Sequence, residues 1–336
     1  MLAWLQDTAW ISKQGAIQLF KKVCVDGHNI GCIARVVTHI HSDHLLQISN
    51  SINLCKQVIG THITLDSLEV LGYRIPKHKR VALNYGEVIA VDDQYKVSLE
   101  YAEHIPGSAQ VIVEYNGTLV AYTGDFKDAG TKTKIIENPH ILIIDATYGN
   151  PRYVREREDI IWAKFVELLK KLLVLGPVTI YAYYGKAQNA MFKLREMGID
   201  TPLILSPMHW KLYKVLEKYG HIVNDVFLQG SPEAEEIRRT GWYIEFKHTT
   251  SLSSANGLGS HIILTGRFAK TIMRMGAGNL WIVGVSGHAD FNDLVYYVDN
   301  SRPEILIVDG YRSEYAQAFA SYIRDNLNIE TIVLPP

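Results

Sequence analysis

The chain has 336 residues, of which 47% are hydrophobic and 21% are charged, and its formal net charge is −1. That composition is typical of a globular protein with two domains or one large domain. No apolar run reaches 18 residues, so we expect no membrane-spanning helix. The balanced charge gives no general signal for nucleic-acid binding. A polyanionic partner would therefore have to be held by metal ions or by local basic residues.

The amino terminus and the cysteines favour a cytoplasmic protein. Residues 1–7 lack the basic segment, the long apolar core and the cleavage site of a signal peptide. Cys24, Cys32 and Cys55 are odd in number and form no CxxC motif. We therefore expect them to be reduced core residues rather than a disulfide or a zinc knuckle.

The first 150 residues predict a β-rich body. Weak alternation predicts a hairpin or meander over residues 17–25, with a turn at Asp26-Gly27. A two-residue hairpin turn is predicted at Asn116-Gly117. The segment that starts at Leu45 predicts a helix with Ser42 as its N-cap. Other apolar runs predict strands at 33–37, 88–91, 97–101, 111–115, 119–122 and 141–144.

The pattern changes after about residue 152. Helical spacing over residues 159–175, 188–197 and 209–219 alternates with apolar strands at 178–182 and 202–205, which is typical of a parallel sheet. Later strands are predicted at 280–285 and 305–308, and a final helix at 314–327. We therefore predict an α/β protein with two interleaved domains: residues 1–151 with 279–336, and an inserted α/β domain of residues 152–278.

The segment His39-Ile40-His41-Ser42-Asp43-His44 lies between the predicted strand 33–37 and the predicted helix. Three imidazoles and one carboxylate within a single turn of chain, where a strand ends, can converge on one point. Imidazole and carboxylate ligands without thiolate favour Zn²⁺, and Mn²⁺ or Fe remain compatible with them. The histidine segment, residues 39–44, therefore predicts a metal site.

Further candidate residues follow other predicted strands, namely His104, Asp125, Asp145, His288 and Asp309. Strand ends meet at a common edge of a sheet, so these residues can come together although they are distant in sequence. Each also has a simpler interpretation as a turn residue, a helix cap or a core histidine. Given the histidine segment, we favour His104 and Asp125 as metal ligands. Asp145 and His288 could have either a structural or a catalytic role.

The donors suffice for two ions if one carboxylate bridges them. Two ions about 3.5–4 Å apart would stabilise both the attacking and the leaving oxygen of a phosphodiester. Asp125 is suited to bridge, and Asp26 is expected to support the cluster by hydrogen bonding. The other assigned donors are His39, His41 and His104 for the first ion and Asp43 and His44 for the second.

The order of these residues resembles the metallo-β-lactamase-fold hydrolases, which implies an αββα sandwich with a dinuclear metal site at one edge. Asp145-Ala146-Thr147-Tyr148-Gly149 resembles the acidic motif that opens the β-CASP cap. Ser286-Gly287-His288-Ala289-Asp290 resembles the histidine motif that follows that cap. β-CASP proteins are nucleases that act on DNA or RNA, and the resemblance covers nearly the whole chain.

Within the β-CASP proteins, the chain is similar to the compact SNM1/Artemis-like group and to the bacterial ligase-associated DNA exonucleases. The similarity lies in its short length and in two motifs, His104-x-x-Gly107-Ser108-Ala109-Gln110 and Tyr184-Gly185-Lys186-Ala187-Gln188. RNA-processing members carry a histidine ligand of the second metal where this chain has Asp309. DNA-acting members of the SNM1 type lack it too, so Asp309 favours DNA. It could still ligate the second ion or leave that site weaker.

The resemblance also implies catalytic roles. Asp145 would orient His288 and tune its proton affinity, and His288 would protonate the leaving 3′ oxygen or steady the scissile phosphate. Asp43 belongs to the catalytic set as well, and its replacement by Asn is expected to abolish cleavage.

Phosphate-binding residues are expected in the inserted domain. Lys186 follows a glycine at a strand-to-helix turn and could meet a phosphate there. Arg267, with Lys270 and Arg274, could form a phosphate-facing rim. A solvated surface position is the alternative for each of these residues.

We therefore expect a metal-dependent nuclease and favour a 5′-to-3′ DNA exonuclease in DNA repair or end processing. An RNA nuclease of the mRNA 3′-end-processing or exoribonuclease type is the main alternative, and a non-catalytic nucleic-acid-binding subunit is a third. The expected partners are nucleic acid, with DNA preferred over RNA, and DNA ligase or helicase repair proteins, with no membrane.

Overall fold

The computed structural model describes residues 2–254, 259–268, 271–276 and 278–336. The chain divides into two compact units, the first formed by residues 1–154 and 287–336 and the second by residues 155–286. Among the described residues, no helix combines the length and the apolar character that crossing a membrane requires.

The first unit opens with a six-stranded sheet in the order β1-β2-β3-β4-β5-β6. Strands β2 and β3 are antiparallel, which confirms the hairpin predicted over residues 17–25. β1 also pairs antiparallel with β2, and β3 to β6 run parallel. Helices α2 and α3 contact β5. The elements are α1 (Leu2–Thr8), β1 (Ala9–Ile11), β2 (Ile17–Leu19), β3 (Val23–Val25), β4 (Ala34–Val36), α2 (Ile48–Leu54), β5 (Gln57–Thr61), α3 (His62–Val70) and β6 (Arg80–Leu83).

The prediction of a helix that starts near Leu45 with Ser42 as its N-cap is wrong. Ser42–His44 form one turn of 3-10 helix, and α2 begins only at Ile48. The guanidinium of Arg35 donates to the carbonyl oxygens of His44 at 2.9 Å and of Leu46 at 3.2 Å. These side-chain hydrogen bonds take acceptors that a continuous helix would use for its own N–H groups.

The expectation of three reduced cysteines is also wrong. Cys24 on β3 and Cys32, which precedes β4, form a disulfide, and Cys55 is a buried free cysteine. The Cα atoms of the two bonded cysteines lie 5.8 Å apart, a tertiary relationship that their spacing in the sequence does not reveal.

A second sheet begins with an antiparallel meander from β7 to β10, which β11 then joins in parallel. Asn116 and Gly117 have φ angles of 49° and 77°. Positive φ at both central residues is what a type I′ hairpin turn requires, so the predicted turn is confirmed. These strands are β7 (Val88–Val91), β8 (Tyr95–Tyr101), β9 (Ala109–Tyr115), β10 (Thr118–Tyr122) and β11 (Ile141–Ile144).

The second unit has a seven-stranded sheet of its own in the order β14-β13-β15-β12-β16-β18-β17, parallel except for β17. The predicted alternation of helices and strands is confirmed, whereas α7, β14, β15 and β17 were not predicted. The elements are α4 (Glu158–Leu175), β12 (Val178–Tyr181), α5 (Lys186–Glu196), β13 (Leu203–Leu205), α6 (Pro207–Lys218), β14 (Val226–Leu228), α7 (Pro232–Thr240), β15 (Ile244–Lys247), β16 (Ser260–Leu264), β17 (Ile272–Met275) and β18 (Leu280–Val283).

The chain then returns to the first unit through α8 (Phe291–Ser301), β19 (Ile305–Asp309), α9 (Ala316–Leu327) and β20 (Glu330–Leu334). The second sheet has the order β20-β19-β11-β10-β9-β8-β7. One apolar core joins buried residues of the two sheets, and another packs α8 and α9 on the outer face of the second sheet. With α2 and α3 on β5 of the first sheet, this is the predicted αββα sandwich, which is confirmed.

Candidate metal centre

The candidate residues lie where strands of the first unit end. The histidine segment follows β4, Asp125 follows β10, and Asp145 follows β11. His104 comes after β8, and His288 precedes α8. The strand ends thus bring together side chains that lie up to 249 positions apart in the sequence, between His39 and His288.

Four predicted donors form one compact group, His39, His41, His104 and Asp125, whose ligand atoms lie within 4.8 Å of one another. Nδ1 of His41 is 3.1 Å from Nε2 of His39 and 3.1 Å from Nε2 of His104. Oδ2 of Asp125 lies 3.4 Å from Nε2 of both His39 and His104. Three imidazole nitrogens and one carboxylate oxygen around one point form a donor set that suits a divalent cation.

Hydrogen bonds on the far side of two rings orient them toward this group. Nδ1 of His104 donates to the carbonyl oxygen of Gly287 at 2.6 Å. Nδ1 of His39 lies 3.0 Å from Oγ1 of Thr38. Because a carbonyl oxygen only accepts, Nδ1 of His104 carries the proton, and its Nε2 offers a lone pair to the group.

Burial and neighbouring charges place His39, His104 and Asp125 in the protonation forms that bind a cation. Burial lowers the pKa of His104 well below its usual range, and burial together with His44 lowers the pKa of His39. Burial raises the pKa of Asp125, but His44 and the neighbouring imidazoles outweigh it and hold that pKa well below its usual range. Neutral imidazoles and an ionised carboxylate are the forms that coordinate metal ions.

The two donors predicted for a second ion are placed differently from each other. His44 is fully buried, and its Nε2 lies 3.2 Å from Oδ1 of Asp125 and 3.7 Å from Oδ2 of Asp43. The side chain of Asp43 is 57% exposed. Nε2 of His44 is thus buried beside two carboxylates, an arrangement of donors that suits a cation.

Asp26 supports His44 from behind. Oδ2 of Asp26 lies 2.7 Å from Nδ1 of His44 and accepts a hydrogen bond from Oγ1 of Thr38 at 2.6 Å. The backbone N–H of Thr38 donates to Oδ1 of Asp26 at 2.9 Å. These contacts are those that the predicted supporting role of Asp26 requires.

A second group, made of Asp125, Asp145 and His288, shares the carboxylate of Asp125 with the first. Nδ1 of His288 lies 3.5 Å from Oδ2 of Asp145 and 3.7 Å from Oδ2 of Asp125. The Asp145 carboxylate accepts hydrogen bonds from Oγ1 of Thr147, at 3.0 and 2.9 Å, and from Oγ of Ser313 at 3.0 Å. Neither Thr147 nor Ser313 was predicted to be a site residue. Thr147 lies within the acidic motif, but no sequence signal points to Ser313.

Asp309 lies outside both groups. Its Oδ1 accepts the backbone N–H groups of Tyr311 at 2.9 Å and Arg312 at 3.2 Å, and its Oδ2 pairs with Nη1 of Arg312 at 2.8 Å. Both carboxylate oxygens of Asp309 thus have partners among the described residues. Arg312 was not predicted.

The candidate phosphate-binding residues belong to the second unit. Lys186 begins α5, and its Nζ donates to the carbonyl oxygen of Val285 at 3.0 Å. Arg267 is exposed. Nε of Arg274 donates to the carbonyl oxygen of Gly278 at 3.1 Å. Lys270 lies outside the described residues.

Parts of this chain are similar in sequence to known proteins. Residues 272–335 match the family model described as the Zn-dependent metallo-hydrolase RNA specificity domain. The "Uncharacterized protein in lig 3′region" of Acidianus ambivalens is 42% identical over 141 residues, which cover 42% of this chain and 99% of that protein. "Probable RNase MJ4" of Methanocaldococcus jannaschii is 31% identical over 48% of this chain and 38% of its own length.

Longer matches cover most of the chain. The "DNA cross-link repair protein SNM1" of Arabidopsis thaliana is 25% identical over 92% of this chain and 67% of that protein. A crystal structure of a protein of unknown function from Enterococcus faecalis V583 superposes with a TM-score of 0.61, at 14% identity, over 90% of this chain and 79% of that chain. The superposition shows a shared fold.

Proposed function

Since this chain belongs to the β-CASP nucleases of the metallo-β-lactamase fold, hydrolases that act on ester bonds, we propose that it is a 5′-to-3′ DNA exonuclease in DNA repair or end processing. The observation that carries the proposal is the pair of groups that share Asp125, one rich in imidazole and the other containing Asp145 and His288. The first suits metal binding and the second suits proton transfer.

The metal centre that we propose holds two divalent ions, with Zn²⁺ favoured. Asp125 would bridge them, and Asp43 and His44 would hold the second. When bound, the ions would stabilise negative charge on the attacking and leaving oxygens. The proposed ligands of the first ion are His39, His41 and His104.

The remaining groups have proposed roles in proton transfer. Asp145, held by Thr147 and Ser313, would orient His288 through the 3.5 Å contact with Nδ1. His288, whose side chain is 24% exposed, can reach a substrate and donate a proton to the leaving oxygen.

Charge supports the second unit as the part that holds the nucleic-acid backbone. Residues 155–286 contain 17 Lys and Arg against 12 Asp and Glu, a net charge of +5. The rest of the chain contains 17 Lys and Arg against 23 Asp and Glu, a net charge of −6. A polyanion is attracted to the cationic unit, where Lys186 and Arg267 are the proposed phosphate-binding residues.

Relatives support two substrates. The DNA cross-link repair proteins among them favour DNA, as does Asp309 in place of a ligating histidine. The second candidate is RNA, favoured by the RNA specificity named in the family model for residues 272–335 and by the RNase relatives. DNA ligase and helicase repair proteins are the proposed protein partners, and the Acidianus relative is named after the 3′ region of lig.

A cleavage assay tests the proposal. Single-stranded DNA and RNA of one sequence, each labelled at the 5′ or 3′ end, are digested with added Zn²⁺ or Mn²⁺ and with chelator, beside the Asp43→Asn variant. We expect release of short 5′-labelled products from DNA, lost with chelator and in the variant. Preferential decay of RNA would establish the second candidate. Metal-loaded protein that binds both substrates and cleaves neither would indicate a non-catalytic binding subunit.

A further inference from the structure

The Asp309–Arg312 ion pair lies behind the histidine segment. The two side chains are 0% and 2% exposed, and Nη1 of Arg312 is 2.8 Å from Oδ2 of Asp309. The backbone N–H of Tyr311 also donates to Oδ1 of Asp309 at 2.9 Å. The carboxylate is therefore fixed at the end of β19, and the direction of the guanidinium is fixed with it.

The other nitrogens of Arg312 reach the main chain of the metal centre. Nε and Nη2 both donate to the carbonyl oxygen of Asp43, at 3.2 and 3.0 Å. Nη2 also donates to the carbonyl oxygen of Asp26 at 3.0 Å. One guanidinium thus ties the histidine segment to the residue that orients His44 and to the end of β19.

A second buried guanidinium acts on the next carbonyl of the same segment. Arg35 is 0% exposed, and its Nη2 donates to the carbonyl oxygen of His44 at 2.9 Å. The consecutive carbonyls of Asp43 and His44 are therefore each held by a different arginine, Arg312 after β19 and Arg35 within β4. Charge-assisted hydrogen bonds of this kind are stronger than neutral ones, and the planar fork of Arg can hold several acceptors in fixed directions.

We propose that Arg312, anchored by Asp309, is a positioning residue of the metal centre, so that position 309 acts from behind the ligands and not as a ligand. Fixing the carbonyl of Asp43 fixes the plane of the peptide that leads into His44. It therefore sets where the side chains of Asp43 and His44 point. The inference rests on the proposed metal centre but on neither the choice of substrate nor the occurrence of cleavage.

Metal-binding measurements on the purified full chain test it. The variants are Arg312→Met, Arg312→Lys, Asp309→Asn and the Asp309→Asn/Arg312→Met double variant. Arg324→Met is the matched control, because Nη1 of Arg324 also donates to a backbone carbonyl, that of Thr331 at 2.8 Å, away from the candidate ligands. Each protein is titrated with Zn²⁺ against a chromophoric chelator, and its ion count at saturation and its near-UV circular dichroism are recorded.

We expect Arg312→Met and Asp309→Asn to keep the wild-type ion count and to bind about 10–100-fold more weakly, the usual effect of losing a group that orients ligands. Arg312→Lys should lie between them and wild type. The double variant should be no worse than Arg312→Met, because the two residues act as one unit. Arg324→Met should bind like wild type.

Two results would overturn the inference. If Asp309→Asn lost one ion per chain at saturation while Arg312→Met kept the full count, Asp309 would be a ligand. If thermal stability fell in both variants with unchanged affinity, the ion pair would be structural only. Should Arg312→Met not fold, the isosteric Asp309→Asn and the charge-conserving Arg312→Lys decide the question alone. Wild-type protein that binds metal but cleaves no nucleic acid would reject the proposed function and leave this inference standing.

Discussion

Nδ1 of His44 lies 2.7 Å from Oδ2 of Asp26, and both side chains are fully buried. The bond fixes the ring so that Nε2 faces Asp125, 3.2 Å away. The same carboxylate accepts two hydrogen bonds from Thr38. Contacts within the protein itself therefore hold the ring of His44 in this direction.

Replacing Asp26 should therefore weaken metal binding. In Asp26→Asn, the amide can accept from His44 with one oxygen, but it loses the negative charge and one of the two acceptors that Thr38 uses. We expect a 10–100-fold loss of Zn²⁺ affinity in a chelator competition. Asp92→Asn, which alters an exposed aspartate of the same unit paired with Lys56, is the control and should leave the affinity unchanged. Equal affinity in both variants would contradict a supporting role for Asp26.

Removing a predicted ligand of the first ion should change the ion count and not only the affinity. In His104→Ala, the group keeps His39, His41 and Asp125, which leaves a position open. We expect about one ion fewer per chain by elemental analysis after dialysis. His78→Ala, at an exposed histidine of the same unit, should retain the wild-type count. A full count in His104→Ala would remove His104 from the ligand set.

His288 should matter for the chemical step while leaving metal binding intact. If it protonates the leaving oxygen, His288→Ala should lower kcat on nucleic acid about 10²–10⁴-fold. On a phosphodiester with a nitrophenolate leaving group, which needs no proton, the loss should largely disappear. An equal loss on both substrates would mean that His288 steadies the phosphate and does not protonate the leaving group. As a control, His288→Ala should bind the same number of metal ions per chain as wild type.

Asp293 in the first turn of α8 should make stability depend on pH. Burial raises its pKa from 3.8 to about 6, while its Oδ1 accepts the backbone N–H of Ala129 at 2.9 Å. Between these two pKa values the folded state binds more protons than the unfolded state, so this group's contribution to the free energy of unfolding falls as pH rises. Above pH 6 the folded protein bears the full cost of ionising Asp293.

Asp293→Asn removes that cost, because the amide oxygen can still accept from Ala129. We expect the free energy of unfolding of this variant to equal that of wild type at pH 4. At pH 7.5 it should exceed the wild-type value by about 1 kcal/mol, a figure reduced because Asp293 is partly exposed. Urea unfolding at several pH values measures the difference. The control is Asp299→Asn, at an exposed position of the same helix, which should have wild-type stability at every pH. If Asp293→Asn differed from wild type by the same amount at every pH, ionisation of Asp293 would not be the cause.

Local patterns in the sequence predicted much of the fold. The hairpin at Asn116-Gly117 and the long helix α4 are confirmed because their signals, two residues that tolerate positive φ and a run of helical spacing, act over a few neighbouring residues. The start of α2 was missed because Arg35, ten positions before Leu45, takes the carbonyls that a helix would need. The disulfide was missed because the sequence spacing of Cys24 and Cys32 does not reveal that they are close in space.

For the candidate site, the residue types alone predicted the chemistry of the donors. Imidazole and carboxylate donors gathered at strand ends are a property of residue type and position, so His39, His41, His104 and Asp125 could be named from the sequence. The groups that hold these donors in place are apparent only in the folded chain. Asp26 meets His44 beside two adjacent strands, Ser313 donates to Asp145, and Arg312 pairs with Asp309 and donates to the main chain of the histidine segment. These supporting contacts depend on directions in space between distant parts of the chain, which no local pattern encodes.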